Sequence, residues 1–179
     1  MSLTETTLSS EVLLQGIIFR VDRQEVRLGD GSLSKRDIVR HAGGVGVLAR
    51  TPRDTWLLVR QYRKALDREV LEMVAGMREP GEAPEDSARR ELEEETGYTA
   101  DTLVPLGESF ASPGYTDEIV TLYYAETGET PGANRLDHDE RVLVEELGTA
   151  EMRRRMNAGE ICDSKTVVAW FRAAQKGLI

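Results

Sequence analysis

Apolar and polar residues follow one another in short runs through most of this chain, and the runs have the length of strands. "EVLLQGIIFR" (residues 11 to 20) reads as one strand. "EVRLGDGSLSKRDIVRH" reads as two more around a turn at Asp30-Gly31, because Asp-Gly favours tight hairpin loops. "GGVGVLAR" and "TWLLVRQYR" are apolar, β-branched runs separated by the turn residues "TPRD". "EVLEMVAG" is a further strand ending at Gly76, and "TLVPLGESF", "EIVTLYYAE" and "RVLVEEL" complete the set.

The period changes in three places. Residues 84 to 96 fit a helix, with Pro84 in the first turn, acids crowding that turn and Gly97 as the stop. "TAEMRRRMNAG" fits a second helix, with Thr149 as N-cap and Gly159 as its end. "SKTVVAWFRAAQKG" fits a third, whose apolar stripe is Val167, Val168, Phe171 and Ala174. Many strands, one helix, more strands and then helices predict an α+β fold or a mixed-sheet sandwich. No internal repeat or linker divides the chain.

Composition narrows the class. A chain of 179 residues with 40% hydrophobic and 31% charged residues is long enough for a real core and reads as soluble and globular. No apolar run approaches the ~18 residues that span a bilayer, and "MSLTETTLSS" lacks the basic-then-apolar order of a secretory signal. The single cysteine, Cys162, has no partner for an intramolecular disulfide, and a semi-buried thiol in a reducing cytoplasm is the expectation. A net charge of -9 argues against a nucleic-acid backbone as partner, and no membrane partner is expected. It leaves room for a phosphate-bearing small molecule, provided divalent cations sit between the two sets of negative charge.

The acid is concentrated. "GMREPGEAPEDSARRELEEETGY", residues 76 to 98, carries eight carboxylates against three arginines. On a helix Glu91, Glu94 and Glu95 fall at i, i+3 and i+4, so they share a face with Cβ atoms about 5–6 Å apart. Like charges at that separation repel by ~3 kcal/mol at an effective dielectric near 20. An oxygen-rich cluster of this kind suits Mg²⁺ or Mn²⁺, which would turn repulsion into attraction. Before the helix, Gly76, Pro80, Gly81 and Pro84 set a tight path that can bring Glu82 back within reach of Arg90.

These residues resemble the Nudix box, G-x5-E-x7-R-E-U-x-E-E-x-G-U. Gly76, Glu82, Arg90, Glu91, Leu92, Glu94, Glu95 and Gly97 match, and only Tyr98 departs, standing where an aliphatic residue is usual. The resemblance implies a mixed β-sheet sandwich flanked by helices, with the box as loop-helix-loop. It also implies hydrolysis of a nucleoside diphosphate linked to another moiety, with Mg²⁺ or Mn²⁺. It makes Glu91 and Glu95 the principal metal ligands, Glu94 a third, and the carbonyl of Ala75 a further one. Glu82 and Arg90 would orient loop and helix through a salt bridge.

Outside the box, "SPGYTDE" places Pro113 sixteen positions after Gly97 and resembles the ADP-ribose pyrophosphatase branch. Pro113 and Gly114 would then shape a cleft loop, and Glu118 would contact substrate or metal. "VRQYRKALDREVLEMVAGMREPGE" resembles the same branch, with Arg63 as an arginine that grips the substrate. Relatives often carry tryptophan where this chain has Met73, and Tyr62, Tyr115 or Phe110 could supply the stacking surface instead. In "RLDHDERVLVEEL", Glu140 occupies the place of the branch's general base, flanked by Asp137, His138 and Asp139. The domain reading is a flexible terminus over 1–10, a β extension over 11–42 that pairs two copies into a homodimer, and the hydrolase domain over 43–179. The leading substrate is ADP-ribose, giving AMP and ribose 5-phosphate. The rivals are another nucleoside diphosphate sugar such as GDP-mannose and, in a different class, a nucleotide sensor that does not cleave.

Overall fold

The computed structural model describes residues 2–133, 135, 136 and 141–179, in two compact units. The first comprises Met1–Gly43 and Phe110–Ile119. Its strands β1 (Thr6–Gln15), β2 (Phe19–Arg27) and β3 (Leu33–His41) form an antiparallel sheet in the order β1-β2-β3. The turn between β2 and β3 sits at Asp30-Gly31 as the sequence predicts, with Gly31 at φ 88° and the Asp30 carboxylate accepting from the Ser32 N–H at 2.9 Å.

Two details differ from the expectation. Residues 6–10 are not a loose terminus but the first half of β1, with Thr6 and Thr7 opposite Arg27 and Val26. Residues 11–20 are not one strand either. Gly16 closes a turn by donating its N–H to the Phe19 carbonyl at 2.9 Å, so residues 11–15 end β1 and only residues 19 and 20 begin β2.

The second unit comprises Gly44–Ser109 and Val120–Ile179. Strands β4 (Gly44–Arg50), β5 (Thr55–Arg63), β6 (Arg68–Glu72) and β7 (Val74–Met77) precede helix α1 (Pro84–Thr96). Then follow β8 (Ala100–Phe110), β9 (Ile119–Thr127), β10 (Val142–Gly148), α2 (Thr149–Asn157) and α3 (Ser164–Gln175). The sheet runs β10-β5-β4-β9-β8, with β6 on β5 and β7 on β4. It is mixed, because β4 pairs in parallel with β9 while β5 and β7 pair with β4 antiparallel.

Alternation along the strands makes two cores. Leu48, Trp56, Leu58, Leu122 and Tyr124 face one side, where Met152, Ile161, Ala169, Trp170 and Ala173 cover them. Val45, Val47, Ala49, Leu57, Val59 and Tyr123 face the other, under Ala88 and Leu92 of α1. A sheet buried on both faces and flanked by helices is the α+β sandwich expected. Among the described residues no helix is long and apolar enough to cross a membrane.

Four local readings change. "EVLEMVAG" splits at Met73, whose N–H donates to the Thr166 hydroxyl at 2.8 Å while the chain crosses from pairing β5 to pairing β4. Thr149 is the first residue of α2 rather than its cap, since its hydroxyl accepts from the Trp56 indole at 2.9 Å. On α3 the buried stripe is Thr166, Ala169, Trp170 and Ala173, which leaves Val167 and Phe171 exposed. Cys162 is exposed rather than semi-buried.

The most enclosed charge of the first unit is Asp22, 4% exposed. It accepts from Arg20 at 2.7 and 3.0 Å and from Arg40 at 3.2 Å. The Arg20 hydrogen bond, and more weakly Arg40, hold its carboxyl below the usual 3.8 against the opposing effect of burial. A lowered carboxyl pKa adds stability above the unfolded value and loses it as pH falls through the folded one. Asp22→Asn should therefore lower the melting temperature at pH 7, and the gap to the parent should close as the pH is taken below 3.8. Thermal unfolding across that range checks it.

Candidate active site

Helix α1 starts at Pro84, which needs no N–H partner in the first turn, and Glu85 and Asp86 sit where the macrodipole favours acids. It ends at Gly97, which takes the left-handed conformation (φ 76°) and returns its N–H to the Glu93 carbonyl at 2.8 Å. The buried residues are Ser87, Ala88, Glu91, Leu92, Glu95 and Thr96. The apolar positions that dock the helix on the sheet thus drag two glutamates inward with them. Glu91 and Glu95 are 8% and 2% exposed, a costly place for carboxylates without compensation.

Part of that compensation is one guanidinium. Arg90 grips Glu82 with both arms of its fork, Nε to Oε1 and Nη2 to Oε2, each at 3.0 Å. Its Nη1 donates to Glu91 at 2.8 Å and Glu94 at 2.9 Å, and Nη2 reaches the Met77 carbonyl at 3.1 Å. Arg90, with a further bond from the Ser87 hydroxyl, holds the Glu82 carboxyl down at about 2. The loop-to-helix pairing expected from the sequence is present, and it extends to two more carboxylates.

On the strand side the fit is close. A Cβ on Gly76 would lie 2.0–2.2 Å from the carboxylate of Glu91, so only glycine lets that side chain lie against the backbone of β7. The Ala75 N–H donates to Glu95 Oε2 at 3.3 Å. Glu91, Glu94, Glu95 and the adjoining backbone form an all-oxygen donor set, the kind that hard divalent cations prefer. The donor chemistry and the glycine cradle fit such an ion. Among the described residues, however, no three acidic, histidine or cysteine side chains converge as a ready-made cage. Arg90 stands between Glu91 and Glu94 instead.

Beside the acids lies a network that sequence reasoning missed. Arg63 donates through Nε to Glu72 at 2.6 Å, and Lys165 of α3 reaches the other oxygen of Glu72 at 3.2 Å. Glu72 is 2% exposed. Burial pulls the Arg63 guanidinium down, but Glu72, with Glu95 and Asp163 further off, leaves it above its ordinary value. Asp163 caps α3 through the Thr166 N–H (2.9 Å) and binds Lys165 (2.7 Å). The available signal was a lone acid inside the apolar run "VLEMVAG". Met73, where an aromatic was considered, is fully buried in the core. Tyr62, Tyr115 and Phe110 are all exposed.

Tyr98, the one departure from the box, is 3% exposed and its hydroxyl has partners. Arg53 donates to it at 2.9 Å, and Glu146 Oε1 lies 3.1 Å away, which satisfies the polar end of an aromatic packed beside Leu92.

Pro113, Gly114 and Glu118 belong to the first unit. Ser112 closes the turn that holds the first two, its carbonyl accepting from Tyr115 N–H and Thr116 N–H, both at 3.1 Å. A Cβ on Gly114 would meet nothing within 4 Å. Glu118 lies 3.8 Å from Nδ1 of His41, which itself accepts the Gly43 N–H at 3.1 Å. Glu140, with Asp137, His138 and Asp139, lies outside the described residues.

The NUDIX domain family matches residues 40–170. An ADP-ribose pyrophosphatase of Bacillus subtilis is 41% identical over 94% of this chain and 91% of its own length. A methanol dehydrogenase activator of Bacillus methanolicus is 41% identical over 92% and 90%. A GDP-mannose pyrophosphatase of Klebsiella pneumoniae is 32% identical over 100% and 96%. A crystal structure described as an ADP compounds hydrolase superposes with a TM-score of 0.82 over 99% of this chain and 98% of that one, at 23% identity.

Two glycines of the site are held for different reasons. A Cβ on Gly97 would meet the Gly132 carbonyl oxygen at 2.4 Å, on a backbone already at positive φ. Gly97→Ala should cost about 1–3 kcal/mol, a fall of several degrees in melting temperature. Gly76→Ala should cost much less, because the atom it meets is the movable end of Glu91 rather than backbone. Thermal unfolding of the two variants side by side checks the order.

Proposed function

The chain belongs to the Nudix family, and on that premise we propose that it hydrolyses the pyrophosphate of ADP-ribose or a similar nucleoside diphosphate sugar, giving AMP and ribose 5-phosphate from ADP-ribose. The observation that carries this is the gathering of Glu82, Glu91 and Glu94 on Arg90, with Glu91 and Glu95 buried against Ala75–Gly76. The names of the similar proteins support the substrate class. GDP-mannose is the second reading, because relatives matching over most of this chain are GDP-mannose pyrophosphatases.

Glu91, Glu95, Glu94 and the Ala75 carbonyl would hold Mg²⁺ or Mn²⁺, which supply charge neutralisation at the phosphates and acidify water for attack. Glu82 and Arg90 keep the loop over residues 77–83 folded onto α1. Arg63, anchored through Nε on Glu72, would turn its terminal nitrogens to a pyrophosphate oxygen pair, a match for its planar fork. Pro113 and Gly114 shape the substrate loop and Glu118 contacts substrate or metal. Glu140 takes the proton of the attacking water. Arg135 N–H donates to the Glu94 carbonyl at 2.9 Å, and Leu136 packs against the core that holds Leu92.

The active form in this reading is a homodimer paired through the N-terminal sheet. All ten residues of β1 are exposed, Leu8, Val12, Leu13 and Leu14 among them, and β1 is an edge strand with one side unpaired. Light scattering should return twice the 20.0 kDa of one chain. A mass of 20.0 kDa at micromolar concentration overturns the dimer.

A panel of nucleoside diphosphate sugars with product identification tests the substrate: AMP and ribose 5-phosphate from ADP-ribose support the proposal, and no cleavage of any member with Mg²⁺ or Mn²⁺ contradicts it. Glu95→Gln should keep the fold and lose at least about a hundredfold in turnover. Gly76→Ala should also lose activity, since it displaces Glu91 without unfolding the chain. Loss of the base through Glu140→Gln should cost roughly 10²- to 10⁴-fold in kcat. A change under about threefold would return the role to Glu94 or Glu118.

A further inference from the structure

The segment between β8 and β9, residues 111–118, clusters with the N-terminal sheet. The attachment is short. Val39 N–H donates to the Tyr115 carbonyl at 2.8 Å, and Asp117 N–H donates to the Val39 carbonyl at 3.1 Å, around a single parallel bridge from Val39 to Thr116. Two backbone bonds make a weak ladder, and side chains reinforce it. Asp117 accepts from Arg40 Nη1 at 3.0 Å through one oxygen and from the His41 N–H at 2.9 Å through the other. Arg40 is in turn braced on the enclosed Asp22 through Nε at 3.2 Å. Within the loop, Glu118 has its backbone fixed on both sides: its N–H donates to the Thr116 hydroxyl at 3.1 Å, and its carbonyl accepts from Ala111 at 3.4 Å. Its carboxylate stays about one-third exposed (side chain 32%).

We infer that Arg40, acting through Asp117, is a positioning residue that sets the Pro113–Glu118 loop for substrate. The inference rests on the reading of that loop given under Proposed function. Among the described residues Arg40 makes no ion pair with Glu118; it fixes Asp117, the residue next to Glu118. A loop that must be ordered afresh at each binding event binds more weakly, whereas chemistry at the box is untouched. The expected signature is therefore a change in KM with little change in kcat.

Steady-state kinetics on ADP-ribose with Mg²⁺ test this. Arg40→Met should raise KM about tenfold and leave kcat within about threefold, as for a lost charged hydrogen bond that acts on binding. Arg40→Lys, which keeps the charge, should recover most of the KM. Asp117→Asn keeps an acceptor for the His41 N–H and should match Arg40→Met, and the double variant should be no worse than either single one. It also carries the test if Arg40→Met does not fold. Arg23→Gln removes a different pair of the same sheet, Arg23 to Asp37 at 2.7 Å, and should leave KM unchanged. Glu118→Gln separates the two possible failures. If it raises KM while the Arg40 and Asp117 variants shift only the melting temperature, Arg40 is merely structural and the inference falls. If Glu118→Gln also leaves KM unchanged, the loop does not face substrate, and the reading beneath the inference falls with it.

Discussion

One guanidinium holds three carboxylates of the acidic helix and the loop before it in register. Glu82, Glu91 and Glu94 all lie on Arg90, at 2.8–3.0 Å. Without that bond network the loop between β7 and α1 loses its pairing with Arg90, and the glutamates of one helix face are left to repel one another. The sheet contributes the other half. Ala88 and Leu92 must be buried, so Glu91 and Glu95 are carried inward beside them, and Gly76 leaves space for a carboxylate to lie on the strand. Stability of the helix and availability of the acids thus come from the same packing decision.

The two units divide the labour differently from the sequence reading. The catalytic box, Arg63 and Glu72 belong to the second unit, while the loop with Pro113 and Glu118 clusters with the N-terminal sheet despite lying between β8 and β9 in sequence. The N-terminal sheet is the local support of a loop that the proposed chemistry uses. Glu72 plays a comparable part in the second unit, a buried carboxylate shared by Arg63 and Lys165, which orients the first and ties α3 to the strand that enters the box.

What was legible in the sequence had a local cause. Strand runs, the Asp30-Gly31 turn, the Pro84 start and the Gly97 stop are properties of a few neighbouring residues, and the box is a spacing within one segment. What was missed depends on residues far apart in the chain. Met73 ends a strand because Thr166, ninety-three positions later, takes its N–H. Thr149 fails to cap because Trp56 claims its hydroxyl. The α3 stripe rotated because Trp170 found an edge-on partner in Trp56, with ring centroids 4.9 Å apart. Tyr98 is at home in the box only because Arg53 and Glu146 meet its hydroxyl. Substrate identity was the least legible property of all. Two proteins equally similar to this chain, at 41% identity, carry the names of a pyrophosphatase and of a dehydrogenase activator.

On the proposed reading, the register of Glu91, Glu94 and Glu95 makes a cation site out of what charge count alone would call a soluble surface. The most direct measurement is Mn²⁺ binding followed by electron paramagnetic resonance, on the parent chain and on Glu91→Gln and Glu95→Gln, with folding verified by circular dichroism. The expected result is saturable binding to the parent and a loss of at least about tenfold in affinity in each folded variant. Equal binding by all three would contradict it, because the buried carboxylates would then have no part in holding the ion.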